Sequence, residues 1–365
     1  MGGMTRKATI GVAGLAMILA FAASGARGQA GAGRTAPKMA EEVYKNIQVL
    51  QGVPADLLLP TMQLIAISLG TQCNHCHVNG GFERDDKAPK EFARVMMKMV
   101  FALNKGTFGD RPLITCYTCH RGNLRPVGTV EPADMGKTSP APGLVGNQPS
   151  ANQMIDQYLQ AIGGSDAISK ISTRVAKGKI ESAANPTAPV EMYAKAPDKG
   201  LTVTHILGTD SFVGFNGNSG WISNPTNGTG DLAAAETEAA KLEDPLYLAA
   251  NVKKTYRWHV EAPEKAGDRE AYVLNGDSQG HVPVRIYLDR QTGLLLRLVH
   301  FVDTPFGRLP AQLDYGDYRE VDGVKVPFQI SAVRPNGRNT IRLEQVQQNV
   351  PVEDAKFVKP ATPAP

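Results

Sequence analysis

The four cysteines of this 365-residue chain all lie in two copies of the pentapeptide Cys-X-X-Cys-His, at residues 73–77 and 116–120. This spacing is the attachment signature of c-type haem. Two thiols three positions apart reach the two vinyl groups on one edge of a porphyrin, and the histidine that follows is brought beneath the iron as an axial ligand. The sequence therefore predicts two covalently bound haem c groups. The residues that would hold them are Cys73, Cys76 and His77 for the first haem and Cys116, Cys119 and His120 for the second.

Other uses of paired cysteines fit this pattern less well. A four-cysteine zinc site would have to join pairs separated by residues 77–115, which exceeds the usual ribbon spacing and leaves the two trailing histidines unexplained. A thioredoxin-like redox pair needs a βαβ setting, which the flanking sequence lacks. A disulfide framework gives no reason for a histidine after each pair. Covalent haem is the interpretation that uses every residue of both motifs.

Residues 1–30 have the pattern of an export signal, which a c-type cytochrome needs because its haem is attached outside the cytoplasm. Arg6 and Lys7 form a basic start, and an uncharged apolar stretch follows over residues 10–23. The alternative is a retained membrane anchor, but this stretch is shorter than the roughly 20 residues that a spanning helix needs. No cysteine lies near the cleavage region, which excludes a lipid anchor there. We expect a cleaved signal and a periplasmic protein.

Proline and glycine divide the rest of the chain. Five prolines and four glycines fall within residues 126–149, which indicates a linker. The expected organisation is a signal at 1–30, a two-haem cytochrome domain at 36–126, a linker at 127–150 and a β-rich domain at 151–358. We expect few contacts between the two domains across such a linker.

Periodicity predicts helices before the linker and strands after it. One helix is expected over 55–69, ending at Gly70, and a second from Asp86 as N-cap to Gly106. Its apolar positions, three and four residues apart, are Phe92, Val95, Met96, Met99 and Leu103. A region that is helical and rich in loops is expected where haem supplies much of the core.

Beyond the linker, a helix with apolar residues at 155–162 precedes apolar runs at 284–288, 294–301, 324–330 and 340–346, separated by turn sequences. These runs predict an antiparallel sheet of about 8 to 11 strands, closed or half closed, with a helical insertion near 232–242. The fold class is therefore α+β: a small, mostly helical cytochrome domain followed by an antiparallel β half-barrel with helices.

The sixth ligand of each iron decides between an electron carrier and an open catalytic haem. Met62 lies on the first predicted helix, and the chain between it and Cys73 is long enough to pass round a haem edge. For the second haem, Met96 and Met99 share a helix face while Met97 points elsewhere. Spacing alone does not choose between Met96 and Met99, and a methionine in a helix also serves as ordinary core packing.

The sequence from residue 46 to 126 reads NIQVLQG, TMQLIAISLGTQCNHCHV, FARVMMKMVFALN and ITCYTCHRG. It resembles the haem-binding repeat of the cytochrome c subunit of photosynthetic reaction centres, in which a helix with a ligating methionine precedes each haem-binding loop. The resemblance implies Met62 as sixth ligand of the first iron. In the pattern Ala-Arg-X-Met it implies Met96 for the second. The family subunit has four haems in two such pairs whereas this chain has one pair, so the resemblance does not extend to a place in a reaction centre.

Residues 153–357 resemble, more weakly, periplasmic lipoprotein-carrier domains, which are half-open barrels over helices. The matching stretches are YLQAIGGSDAI, GWIS, YLDRQTGLLLRL and DYREVDGVKVPFQI. The resemblance implies an apolar or lipid ligand on the concave face. A structural or docking role is the alternative.

We interpret the chain as an electron-transfer protein with no catalytic residues, because two six-coordinate irons leave no place for a substrate. Its partners would be redox proteins of relatively high potential, with peripheral association to a membrane complex left open. The net charge of +4 is dispersed and indicates no nucleic-acid partner. Two alternatives remain: a peroxidase-like enzyme with one open iron, and a lipid or lipoprotein carrier with accessory haems.

Overall fold

The computed structural model describes residues 37–129, 148–182, 187–206, 208–225, 228–334 and 337–360. The expected signal at 1–30 and most of the expected linker lie outside these residues. No helix among the described residues is long and apolar enough to cross a membrane.

The segment before residue 130 is helical, as expected. Its helices are α1 (Ala40–Val43), α2 (Leu58–Leu69), α3 (Cys73–Cys76), α4 (Ala88–Phe108) and α5 (Cys116–His120). A short 3₁₀ turn at Ala55–Leu57 leads into α2, which places Pro60 in the first turn of the helix, where its missing N–H costs nothing. Gly70 ends α2 in the left-handed conformation, with φ of 61°.

Helix α4 differs from its prediction at both ends. Lys87, not Asp86, is the N-cap, and Pro89 follows in the first turn. The helix continues through Gly106 and ends at Gly109, which has φ of 61°. Glycine within a helix costs only about 1 kcal/mol, so Gly106 is tolerated once flanking residues pack, whereas the left-handed end requires Gly109.

One antiparallel sheet of fourteen strands contains most of the described chain after residue 172. Its first seven strands are β1 (Thr173–Ser182), β2 (Ala188–Lys195), β3 (Lys199–Ile206), β4 (Thr209–Asn216), β5 (Ser219–Asn224), β6 (Gly228–Asp231) and β7 (Arg257–Val260). The other seven are β8 (Glu264–Ala266), β9 (Arg269–Asp277), β10 (Val284–Asp289), β11 (Leu295–Thr304), β12 (Gly307–Val321), β13 (Val324–Arg334) and β14 (Gly337–Gln348).

The strand order is β6-β5-β4-β3-β2-β1-β14-β13-β12-β11-β10-β9-β7, with β8 paired to β9. The sheet therefore stays open, and β6 and β7 are its edges. The predicted antiparallel, half-closed type of sheet is confirmed. Its strand number is not, because the sheet has 14 strands and the sequence predicted 8 to 11. The additional strands are mostly in β1 to β6, where glycine, threonine and asparagine interrupt the apolar alternation that identifies a strand.

Helices cover one face of the sheet. They are α6 (Ala151–Ala161), α7 (Ser165–Ser169), α8 (Ala234–Glu243) and α9 (Pro245–Thr255). The core between them and the sheet includes Ile155, Leu248 and Val252 from the helices and Ile286 and Leu298 from the strands, all fully buried. The predicted helices near 155–162 and 232–242 are thus confirmed, and α9 adds a helix that the sequence analysis did not predict.

The helical segment before residue 130, which contains both Cys-X-X-Cys-His motifs, packs against the turn between β11 and β12. Phe306 at this turn is fully buried, and its ring stacks on that of Phe101 with centroids 4.7 Å apart. Leu64 and Met97 of the helical segment share the same apolar cluster with Phe306. The described residues from Lys38 onward belong to one compact unit. The sequence led us to expect few contacts between the two parts, and this apolar contact between them depends on residues that no local sequence pattern brings together.

Candidate haem-binding site

The first motif places its histidine beside a backbone carbonyl. Helix α3 carries Cys73 and Cys76, and His77 follows in extended conformation. The Nδ1 atom of His77 lies 2.9 Å from the carbonyl oxygen of Phe82. A carbonyl oxygen only accepts hydrogen bonds, so Nδ1 carries the proton and donates it. Nε2 is then the nitrogen with a free lone pair, which is the arrangement found in metal-binding histidines.

The second motif repeats this geometry. Thr115 caps α5 through a reciprocal pair of hydrogen bonds with Thr118. The Nδ1 atom of His120 lies 2.9 Å from the carbonyl oxygen of Asn123, so the same argument leaves Nε2 free. Both predicted proximal histidines therefore have the tautomer that a metal ligand requires.

Two buried cations hold the loop behind the first motif. Lys90 Nζ donates to the carbonyl oxygens of Phe82, at 2.9 Å, and Arg84, at 2.8 Å. It also pairs with Asp85 at 2.9 Å, and Arg94 Nη2 pairs with the same carboxylate at 3.0 Å. Hydrogen bonds from Arg94 above all, and then from Asn46 and Lys90, hold the pKa of Asp85 well below its usual range. The Phe82 carbonyl is thus shared between His77 and a lysine.

A neutral amide and a close backbone contact hold the second motif instead. The Asn104 side chain is buried, donates to the Ile114 carbonyl at 2.8 Å and accepts from the Ile114 N–H at 2.9 Å. Gly122 N–H donates to the Ser68 carbonyl at 2.9 Å. A Cβ added at Gly70 would lie 2.0 Å from the Gly122 oxygen, so only glycine allows the end of α2 to meet the second motif.

Sequence reasoning did not identify these supporting residues. Arg94 belongs to the Ala-Arg-X-Met pattern and was therefore visible as part of a motif, although without a role. Lys90 and Asn104 carry no sequence signal that separates them from ordinary helix residues, because their function depends on which loop carbonyls lie beside them.

The methionines of α4 are divided between two faces. Met97 is buried in the cluster with Phe306, while Met96 and Met99 are 39% and 43% exposed on the opposite face. Met62 on α2 is half-buried at the border of that cluster. Met96 and Met99 thus remain the two candidates on one face.

Large apolar side chains are exposed around both motifs. Between 39% and 69% of the surface of each is accessible, and they are Phe82, Phe92, Val95, Met96, Met99, Leu103, Leu113, Tyr117 and Leu124. A concentration of exposed apolar surface of this kind marks a binding site rather than ordinary protein surface. A porphyrin has two broad apolar faces, so these side chains, together with the adjacent thiols and free imidazole nitrogens, fit haem.

The pKa shifts of two of the cysteines argue against an activated, redox-type thiolate pair. Cys73 and Cys119 are exposed, while Cys76 and Cys116 are half-buried. Burial raises the pKa of Cys116 to about 11 and also raises that of Cys76. A redox-active pair has a lowered thiol pKa, which is the opposite direction. Within the described ranges, no three His, Cys, Asp or Glu side chains are grouped as metal ligands would be.

These features fit a c-type cytochrome segment, and in this chain that segment is joined to an open antiparallel sheet. Residues 22–161 match the family model described as "Photosynthetic reaction centre cytochrome C subunit". A photosynthetic reaction center cytochrome c subunit from Thermochromatium tepidum is 40% identical over 97 residues. The match covers 25% of this chain and 24% of that relative, so the chain spans about a quarter of the length of the relative. The resemblance of this segment to that family, found in the sequence, is confirmed.

Solved structures similar to the sheet region include three low-identity matches. A DUF1329 family protein from Desulfovibrio piger gives a TM-score of 0.42 at 15% identity, over 58% of this chain and 98% of that chain. A LolA superfamily protein from Nitrosomonas europaea gives a TM-score of 0.40 at 12% identity, over 58% of this chain and 99% of that chain. An outer membrane lipoprotein-sorting protein domain from Vibrio parahaemolyticus gives a TM-score of 0.36 at 14% identity, over 51% of this chain and 89% of that chain. The names of the second and third structures match the lipoprotein-carrier class that the sequence analysis found similar. With TM-scores below 0.5, these matches carry no further argument about the chain.

Proposed function

We propose that the protein is a periplasmic electron carrier with two covalently attached haem c groups. The observation that carries this proposal is the repeated histidine geometry. His77 and His120 each donate from Nδ1 to a backbone carbonyl 2.9 Å away, beside a pair of cysteines and a surface of exposed apolar side chains. The family similarity of residues 22–161 supports the same assignment.

The residues that would hold each haem follow from the motifs. Cys73 and Cys76 would form the thioethers of the first haem, with His77 and Met62 as axial ligands of its iron. Cys116, Cys119, His120 and Met96 would do the same for the second. Bound haem supplies a reversible one-electron couple.

The protein contributes orientation and exclusion of water to this couple. Each backbone carbonyl fixes the plane and the tautomer of its histidine, which would hold the imidazole in one orientation toward a bound haem. The exposed apolar side chains of α4 would cover the porphyrin and limit the access of water. Because His/Met ligation gives a higher potential than two histidines, the partners would be relatively high-potential redox proteins. If a histidine and a methionine hold each iron, no position would be left for a substrate.

The test combines mass and spectrum. The protein, produced in a host that exports and matures c-type cytochromes, should show the mass of two covalent haems and a weak near-infrared band from methionine coordination. A mass without covalent haem would overturn the proposal. A spectrum with one haem lacking the methionine band would instead favour the peroxidase-like alternative.

The β domain has a second role in this proposal. A cavity of about 310 Å³ lies between the sheet and the junction of α8 and α9. Its walls are mostly apolar, which supports the binding of an apolar ligand there. Extraction of the purified protein with organic solvent, followed by mass spectrometry for a stoichiometric lipid, tests this role independently of the haems.

A further inference from the structure

Arg174 lies in the wall of the β-domain cavity without a hydrogen-bond partner. On β1, Arg174 and Ala176 point to the helix-covered face of the sheet, where both line the cavity. Arg174 is only 8% exposed, and its Nε atom is enclosed. Among the described residues, none accepts a hydrogen bond from its side chain or lies within ion-pair distance of it.

Two acidic side chains, Glu243 and Asp244, line the same cavity, and both are already engaged. Glu243 accepts two hydrogen bonds from Arg334, at 2.7 and 2.6 Å, and lies 2.9 Å from His300 Nε2. Asp244 caps α9 by accepting from the Leu246 N–H at 2.8 Å. It affects Arg174 only at longer range: burial lowers the pKa of Arg174, and the Asp244 charge opposes that shift. The guanidinium therefore lacks a direct counter-ion.

Apart from these two acidic residues, Arg334 and a few neutral polar side chains, the remaining walls of the cavity are apolar. They include Met192, Phe215, Leu313, Val326, Ile330, Ile341 and Leu343. The cavity thus joins one buried, unpaired guanidinium to a hydrocarbon-like space. Burying a charge is costly unless it is paired, and a guanidinium stays ionised and offers five N–H donors. An anionic ligand would supply both the charge and the acceptors.

We propose that this cavity binds a single-chain amphiphile with a carboxylate head, such as a medium-chain fatty acid, with the head on Arg174 and the chain along the apolar walls. The planar guanidinium matches a carboxylate through two parallel hydrogen bonds. A volume of about 310 Å³ is at the low end of ligand cavities, which suits one chain rather than a two-chain lipid. The inference rests on the proposed apolar-ligand role of the β domain and names its ligand class.

The test is calorimetric titration of the haem-loaded protein with decanoate, decanol and decyl phosphate. Decanoate should bind one molecule per chain, at least tenfold more tightly than decanol. Arg174→Met should weaken decanoate binding by about tenfold to a hundredfold and leave decanol binding unchanged. Lys177→Met, on the exposed face of the same strand, should change neither. Arg174→Lys, which keeps the charge but loses the planar fork, should bind decanoate with intermediate affinity, and it replaces Arg174→Met if that variant does not fold.

The other outcomes overturn the inference in distinguishable ways. Equal binding of decanoate and decanol by the wild type, or an Arg174 variant with unchanged decanoate binding, would exclude the head-group assignment while the apolar-ligand role stands. Decyl phosphate bound more tightly than decanoate would exclude a carboxylate-specific site. If none of the three binds, the apolar-ligand role also fails, whereas haem loading, read from the absorption spectrum, remains a separate result.

Discussion

The two Cys-X-X-Cys-His motifs have the same histidine geometry but different supports. At the first motif the carbonyl that accepts from His77 also accepts from Lys90, a buried cation within a charged network. At the second, the carbonyl of Asn123 accepts from His120, and the support comes from the neutral amide of Asn104 and from backbone contact with α2. The first motif is therefore supported by charged side chains, and the second by a neutral amide and backbone groups.

The difference extends to the sheet. In the turn between β11 and β12, a Cβ added at Gly307 would lie 2.9 Å from the Cγ2 atom of Thr115, the cap of the second motif. Cys116 also borders the cluster that contains Phe306. The second motif is thus held against the β domain, while the first is held mainly by its own loop. We expect electrostatic changes to act on the first haem and changes of packing to act on the second.

The largest expected effect is the loss of a haem. Replacing Cys73 and Cys76 together with alanine should leave one covalent haem, because the second motif is complete without the first. The matched double replacement of Cys116 and Cys119 should also leave one haem. Mass spectrometry of the intact chain counts them. Retention of two haems in either variant would show that the motifs do not each attach one.

The next effect concerns the sixth ligand. Met96→Ala should lower the potential of one haem by more than the roughly 59 mV that a tenfold change in a one-electron equilibrium represents, because the thioether ligand is lost. Met99→Ala, on the same exposed face, is the matched control and should leave both potentials nearly unchanged. Spectropotentiometry separates the two titrations. A large drop in the Met99 variant instead would transfer the ligand role to that residue.

Packing at the turn between β11 and β12 should act on the second motif. Phe306→Ala removes a fully buried ring that stacks on Phe101, at an expected cost of about 3–5 kcal/mol in unfolding free energy. In the wild type, the haem absorption and the β-sheet circular dichroism should melt together, because the cluster links the two parts. In the variant the haem transition should move to lower temperature than the sheet transition. Separate transitions already present in the wild type would support the independent domains expected from the linker.

The sequence was sufficient where a local pattern determines the structure. The two motifs, the end of α2 at Gly70 and the shared face of Met96 and Met99 could all be read from spacing. The contacts of Lys90 with the Phe82 carbonyl and of Phe306 with Phe101 could not, because each joins segments whose approach depends on the whole fold. Arg174 was equally hidden, since an arginine in a strand is ordinarily a surface residue and only the covering helices bury it.

A smaller effect should distinguish the charged setting of the first motif. Lys90→Gln removes a positive charge beside the His77 hydrogen bond but keeps a donor, and Asp85 retains its pairing with Arg94. Because a nearby cation favours the reduced haem, the potential of the first haem should fall, by about 60 mV or less, while that of the second stays constant. Lys177→Gln, at an exposed lysine of strand β1 in the sheet, serves as control and should leave both potentials unchanged. Equal shifts of both haems would contradict the local assignment.

The smallest expected effect is a change in protein stability at acid pH that depends on Asp85. Its pKa is lowered in the folded protein from an ordinary value of 3.8, chiefly by the hydrogen bond from Arg94. Because the pKa of Asp85 is lower in the folded than in the unfolded protein, its carboxylate stabilises the fold at pH values above the unfolded-state pKa. This stabilisation is lost as the pH falls from the unfolded-state pKa toward the folded-state pKa. Asp85→Asn should therefore be less stable than the wild type at pH 6, and the difference should shrink progressively below pH 4. Melting followed at the haem band, with the β-sheet signal as an internal reference, measures it. A difference between the two proteins that is the same at pH 6 and pH 3 would show that the charge of Asp85 does not support the loop of the first motif.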